Sequence, residues 1–198
     1  RCDDRGIGGS RGNVSEATSS DLADDALAQV SWLAAHPDVD RNRIGLIVHG
    51  EGGIIPPMAA VRSDDVKFLV LLAAPAVTGE RIMLAQAELL AGAEGASEEA
   101  IAKNRQLQLQ TFEAVRTGKG WNELAAAMRR VVEESIAQLP EAQRKAMKDP
   151  ESLAATQVES QLRMARSPWL KFFLDYDPAP ALAKVNVPVL AVFGELDL

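Results

Sequence analysis

The sequence predicts an α/β fold in which a mostly parallel sheet is interrupted by a long helical insertion. Three observations predict it. Continuous apolar runs at residues 44–48, 66–74 and 187–193 read as strands. A helix-forming stretch joins the first two runs, which is the grammar of a parallel crossover rather than a hairpin. Between residues 79 and 167 the strand signal vanishes, and the chain is rich in Ala, Glu, Gln and Leu. The organisation that follows is a core segment at 1–78, a helical insertion at 79–167 and a return to the core at 168–198.

The elements follow in order. Residues 5–12 are a glycine-rich turn, preceded only by a strand-like stub at 1–3. Thr18-Ser-Ser-Asp21 has the spacing of a capping box, and Leu22, Ala26, Val30 and Leu33 follow on one helical face until Pro37 stops it. Residues 44–48 are the kind of strand expected to be buried on both faces. A sharp turn at 49–53 leads into a helix at 54–61, where Pro56 and Pro57 are tolerable only in the first turn. Inside the insertion, Trp121, Leu124, Met128, Val132 and Ile136 recur on one face of a helix that Pro140 ends. Residues 97–117 are helical by propensity. The last strand, 187–193, is again expected to be buried and runs into Gly194-Glu-Leu-Asp197.

Composition removes several function classes. With 21 basic and 28 acidic residues the net charge is −7, which opposes a sequence-independent nucleic-acid surface. Apolar content of 47% and charged content of 25% are ordinary for a globular domain. The longest apolar run, 68–77, is short of the roughly 18 residues that a membrane span requires. A single cysteine, Cys2, excludes an internal disulfide framework. The chain starts at Arg1 and stops at Leu198 just after a strand, so it is expected to be an internal piece of a longer protein, with its localisation left open.

The chemistry concentrates at Val48-His-Gly-Glu-Gly52, a turn between a buried strand and a helix. That is the setting of the nucleophile elbow, Gly-x-Ser-x-Gly, whose tight turn lifts an attacking side chain above the sheet edge. Here Gly50 occupies the nucleophile position and Val48 the first glycine. Taken alone, the motif is also met by a plain strand-to-helix turn. Gly6-Ile-Gly8 lacks the third glycine of a dinucleotide loop, because Arg11 stands there. Asp24-Asp25 and Asp64-Asp65 lack calcium-loop spacing and read as solvated faces or helix caps. No cofactor and no metal are expected.

Four stretches in this order carry a family resemblance: Asp3-Asp-Arg-Gly-Ile-Gly-Gly-Ser-Arg-Gly12, Ile44-Gly-Leu-Ile-Val-His-Gly-Glu-Gly-Gly-Ile-Ile55, Pro168-Trp-Leu-Lys-Phe-Phe-Leu-Asp-Tyr-Asp-Pro178 and Val187-Pro-Val-Leu-Ala-Val-Phe-Gly-Glu-Leu-Asp197. Together they resemble the α/β-hydrolase superfamily, in particular esterases of the serine aminopeptidase-like group. The resemblance implies an α/β-hydrolase core, incomplete at both ends, with residues 79–167 as a helical cap. It implies a serine hydrolase of esters, or alternatively of small amides or N-terminal peptide bonds, with a small-molecule substrate. Gly50 would stand where that family has its serine, Glu51 would give one oxyanion N–H through its backbone, and Asp197 would be the triad acid. Asp197 also reads as a surface turn residue.

The two histidines do not complete a triad. His49 is the x residue of the elbow and reads as a packing residue, while His36 precedes Pro37 and reads as a helix cap or a solvent-facing residue. The family order Ser…Asp…His places the base beyond Leu198. The chain as given is therefore expected not to hydrolyse by a triad, whether Gly50 is engineered, natural or a sequence error. A binding or regulatory protein on the same scaffold is the rival reading, which Gly50 favours and Asp197 opposes. Trp121, Trp169, Phe172 and Phe173 read as core packing or as the lining of an acyl pocket.

Overall fold

The structure, a computed structural model, describes residues 2–147 and 149–195. They divide into two compact units, residues 2–83 with 172–195, and residues 84–171.

The first unit begins with a turn-rich loop and no strand among its described residues. Helix α1 (Ser19–Ala35) starts where the capping box predicts it. The Thr18 N–H donates to Asp21 Oδ2 at 2.8 Å, and Thr18 Oγ1 accepts from the Asp21 N–H at 3.3 Å. The Thr18 hydroxyl, which donates to the same Oδ2 at 2.6 Å, and the Thr18 N–H together hold the Asp21 carboxyl below the usual carboxylate range. His36 closes the helix, its N–H donating to the Leu33 carbonyl, and Pro37 prevents continuation. Strand β1 (Gly45–His49), a 3-10 turn (Gly50–Ile54) and helix α2 (Ile55–Ala60) follow. Pro56 and Pro57 both fall in the first turn of α2, where a missing N–H costs nothing. Strand β2 (Phe68–Leu72) comes next, and helix α3 (Gly79–Ala93) leads out of the unit.

The second unit is helical throughout its described residues, with α4 (Glu98–Thr117), α5 (Trp121–Gln138), α6 (Glu141–Ala146) and α7 (Pro150–Ala165). Its core gathers Ala114 of α4, Leu124, Met128 and Val132 of α5, and Ala154 and Val158 of α7. The two alanines at this crossing let the helices approach closely, and Ala154 has no exposed surface. Arg129, on the outer side of α5, donates to Glu133 at 2.8 Å and to Glu151 at 3.2 Å. Such exposed pairs contribute little to stability.

The chain returns through α8 (Pro168–Asp175) and α9 (Ala179–Leu182) to β3 (Val189–Val192). The sheet of the described residues has the order β1-β2-β3 and is parallel throughout, with Ile47 beside Val70 and Val70 beside Leu190. In a parallel sheet, residues in register share a face. One face carries Leu46, Val48, Leu69 and Leu71 and packs on Val30 and Leu33 of α1 and Ala60 of α2.

The opposite face corrects the expectation of strands buried on both sides. Ile47 is 67% exposed, Leu190 58% and Val192 45%. At β1 the reason is that α1 and α2 pack on the same side of the sheet, while β3 is exposed on both faces, with Val189, in register with Leu69, at 46%. The periodicity of an apolar run records only that both faces suit burial. An apolar face of this kind binds hydrophobic dyes. Anilinonaphthalene sulfonate fluorescence is expected to rise strongly with the native protein and to drop at least twofold in the Ile47→Thr, Leu190→Thr double variant. An undiminished signal would place the dye elsewhere.

Candidate functional site

The site is built by the turn that follows β1. Gly50, its first residue, has φ +59, the left-handed region that side-chain-bearing residues rarely adopt. A Cβ added there would meet nothing within 4 Å. The turn thus combines a backbone conformation that glycine adopts freely with empty space above it, and position 50 supplies no side-chain atom to fill that space.

The next glycines divide the remaining work. A Cβ on Gly52 would lie 3.9 Å from the Cβ of Val48, an ordinary contact. A Cβ on Gly53 would run into the side chain of Ala74 and come within 2.8 Å of its Cα. The steric demand for glycine therefore falls on Gly53, one residue later than the elbow pattern places it. Val48, in the position of the pattern's first glycine, packs into the covered face of the sheet.

The parallel register sets His49, Leu72 and Val192 side by side, so the turns that follow them leave the sheet at one edge. Ligands of open α/β sheets bind outside this carboxyl edge. Gly50 leads the first turn and Phe193–Glu195 the third. In the second, Ala73 has φ +50 and its N–H donates to the Val192 carbonyl at 2.8 Å. Ala73 escaped the sequence reading, because alanine carries no signal for a left-handed backbone. Strain of that kind clusters at functional edges.

The glycine-rich loop at the start of the chain is anchored by Arg5. Its Nε donates to Asp25 Oδ2 at 2.5 Å, and its Nη2 donates to Asp25 Oδ1 at 2.9 Å and to the Asp21 carbonyl at 3.1 Å. This is a two-point guanidinium–carboxylate clamp onto α1. Asp3 closes the loop by accepting from the Gly9 N–H at 3.1 Å and, through its carbonyl, from the Ser10 hydroxyl at 2.8 Å. A cavity of about 710 Å³ lies between this loop and α1, with Ile55, at the start of α2, on its wall. The Asp-Arg-Gly loop and the elbow helix are thereby brought to one place.

The other singled-out residues sort as follows. Glu51 sits exposed just after Gly50. Asp197 lies outside the described residues. His49 is exposed, which corrects the packing reading: in the alternation of β1 it falls with Ile47 on the uncovered face. His36 caps α1 as expected, with its Nδ1 accepting from the Asp38 N–H at 3.3 Å and its ring 5.1 Å from that of Trp32.

The aromatic residues mostly pack. Phe173 is buried, Phe172 stacks on Tyr176 at 5.2 Å, and Trp121 lies under the Arg166 guanidinium at 4.8 Å. The acidic pairs are ion-pair partners as well as surface charges: Asp24 meets Arg62, Asp25 meets Arg5, and Asp65 meets Arg41 at 2.6 Å. Among the described residues no group of three or more His, Cys, Asp or Glu could hold a metal ion, and no helix is long and apolar enough to cross a membrane.

A family model described as BAAT / Acyl-CoA thioester hydrolase C terminal matches residues 28–137, more than half of the chain, from the second half of α1 almost to the end of α5. The elbow turn lies inside that match. No curated protein and no solved structure matches the chain.

Proposed function

Because the chain belongs to the BAAT / acyl-CoA thioester hydrolase C-terminal family, a hydrolase family of the α/β-hydrolase-like group, we propose that the turn at Gly50 is an acyl-transfer site from which the attacking side chain is missing. The observation that carries this reading is the left-handed backbone of Gly50, directly after β1, with open space where its Cβ would be. In this reading Glu51 lends its backbone N–H to the developing oxyanion. Asp197 is the acid that would orient a histidine. The substrate class is carboxylic esters and thioesters, with small amides behind them. The chain as it stands recognises such a substrate without cleaving it, which is also how a binding or regulatory role would follow from Gly50.

The test restores a nucleophile that works without a histidine. A cysteine reaches its thiolate state far more readily than a serine loses its proton, so it can attack a thioester unaided. In a Cys2→Ser background, needed because Cys2 is exposed, Gly50→Cys is incubated with an acyl-CoA and followed by intact and peptide mass spectrometry. The thiolate attacks the thioester carbonyl, the carbon–sulfur bond to CoA breaks, and the CoA thiolate leaves and takes a proton from water. An acyl adduct on the peptide containing position 50 is expected, formed at least tenfold faster than on glutathione, with none on the Cys2→Ser parent chain. Gly50→Ser is expected to lag by several powers of ten, since it lacks a base. Acylation of Gly50→Cys no faster than of glutathione would overturn the proposal.

A further inference from the structure

Among the described residues β3 forms one edge of the sheet, and the backbone of that edge is unpaired. In a parallel pair, alternate residues turn both backbone groups toward the neighbouring strand. The Pro188 carbonyl accepts from the Leu69 N–H at 2.9 Å, and the Val192 carbonyl from the N–H of Ala73, just past β2, at 2.8 Å. Pro188, Leu190 and Val192 therefore face β2, while Val189, Ala191 and Phe193 turn their N–H and C=O groups outward. The side chains are as open as the backbone: Val189 is 46% exposed, Leu190 58%, Val192 45% and Phe193 63%.

Sheet edges are usually guarded by a charged side chain, a proline or a bulge. Residues 187–194 carry no charge. The proline among them, Pro188, faces β2, so its missing N–H leaves the outer edge intact. The register with β2 runs from Val189 to Val192 without a bulge.

That row of outward groups selects its occupant. Donors and acceptors alternating at strand spacing are matched by another strand, whereas a helix keeps its backbone bonds to itself. The described sheet offers two edges, β1 and β3. Pairing β3 with β1 of a second copy is head-to-tail and propagates without closing, but pairing β3 with its own copy closes on a two-fold axis. About an axis at Ala191 the segment matches itself. Val189 stands opposite Phe193 of the second copy and Leu190 opposite its Val192, so each of these cross-strand pairs is apolar. Glu195, the charged residue nearest the axis along the chain, lies about 27 Å from its copy at 3.4 Å per residue, well beyond a Debye length.

We propose that β3 is a homodimer interface: it pairs antiparallel with β3 of a second copy across a two-fold axis at Ala191, joining two three-stranded sheets into one of six strands. Val189, Ala191 and Phe193 exchange hydrogen bonds across the axis. Leu190 and Val192 cover part of the face that α1 and α2 leave open. Because the paired strands run antiparallel, the two turns at Gly50 lie at opposite ends of the joined sheet, and the dimer does not depend on the chemistry there.

Sedimentation velocity of the full chain, kept reduced because Cys2 is exposed, is expected to show monomer and dimer in exchange, half dimeric at about 10 µM, as suits a small interface. Ala191→Lys and Ala191→Glu each set like charges face to face at the axis, at an exposed position. Each alone is expected to be a monomer at a tenfold higher concentration, and an equal mixture of the two is expected to restore the dimer. A second reading covers the case in which a charge disturbs folding. In a Cys2→Ser background, Ala191→Cys is expected to cross-link to itself on oxidation, its Cα atoms standing about 5.5 Å apart in the dimer, and Glu195→Cys is not. A native chain that stays monomeric to about 500 µM, a mixture that fails to dimerise, or equal cross-linking from positions 191 and 195 would overturn the proposal. So would species that grow beyond the dimer, because β3 would then be pairing with β1.

Discussion

Gly53→Val is expected to destabilise the protein by about 3 kcal/mol, the upper part of the range for overpacking a filled interior. The Cβ alone would overlap the side chain of Ala74 and press on its Cα. That neighbour cannot retreat cheaply, because Ala73 beside it is tied through its N–H to Val192 on β3. Relief would require the turn after β2 to move, and with it the pairing of β2 with β3. Gly52→Ala is the control, its added carbon meeting only the Cβ of Val48 at an ordinary 3.9 Å, with an expected cost of about 1 kcal/mol or less. Urea titrations of the two variants decide the matter. Equal midpoints would mean that the close approach at Gly53 carries no weight.

Leu124→Ala is the second large effect, expected to remove about 3 kcal/mol by combining lost transfer free energy with a cavity that the neighbours fill only in part. Leu124 is 2% exposed and sits in the cluster with Ala114 and Val158. Those neighbours are on two other helices, α4 and α7, so neither can collapse into the gap without dragging a backbone. Val131→Ala, seven residues along the same helix and 45% exposed, is expected to change stability by only about 0.5 kcal/mol. The methyl signal of Met128, within the cluster, reports both transitions under urea. A loss below 1 kcal/mol for Leu124→Ala would show that this cluster does not hold the unit together.

These contrasts show where the sequence was legible. The start of α1, the tolerance of Pro56 and Pro57 and the positions of the three strands rest on rules that act within a few residues, and each stands as read. The strand–turn–helix setting of Gly50 is local too. What failed was non-local. Whether an apolar strand is covered depends on which side its helices pack, and both α1 and α2 pack on the face of Leu46 and Leu69. Gly53 rather than Gly52 is sterically required because the end of β2 passes close by, which no spacing within the elbow records. The Arg5–Asp25 clamp joins a loop and a helix that share no motif, so Asp25 read as a solvated charge.

The order β1-β2-β3 also bears on the route by which the protein folds. β1 and β2 are joined by a short crossover through α2, whereas β2 must wait for β3 until the whole stretch from Ala73 to Pro188 has been made and its helices have formed. Closing a longer loop adds only slowly to the entropic cost, but pairing so distant in sequence is slow to nucleate. During that wait the backbone edge of β2 that will receive Val189–Val192 is unpaired, and the chain is then most open to pairing with the same edge of another molecule.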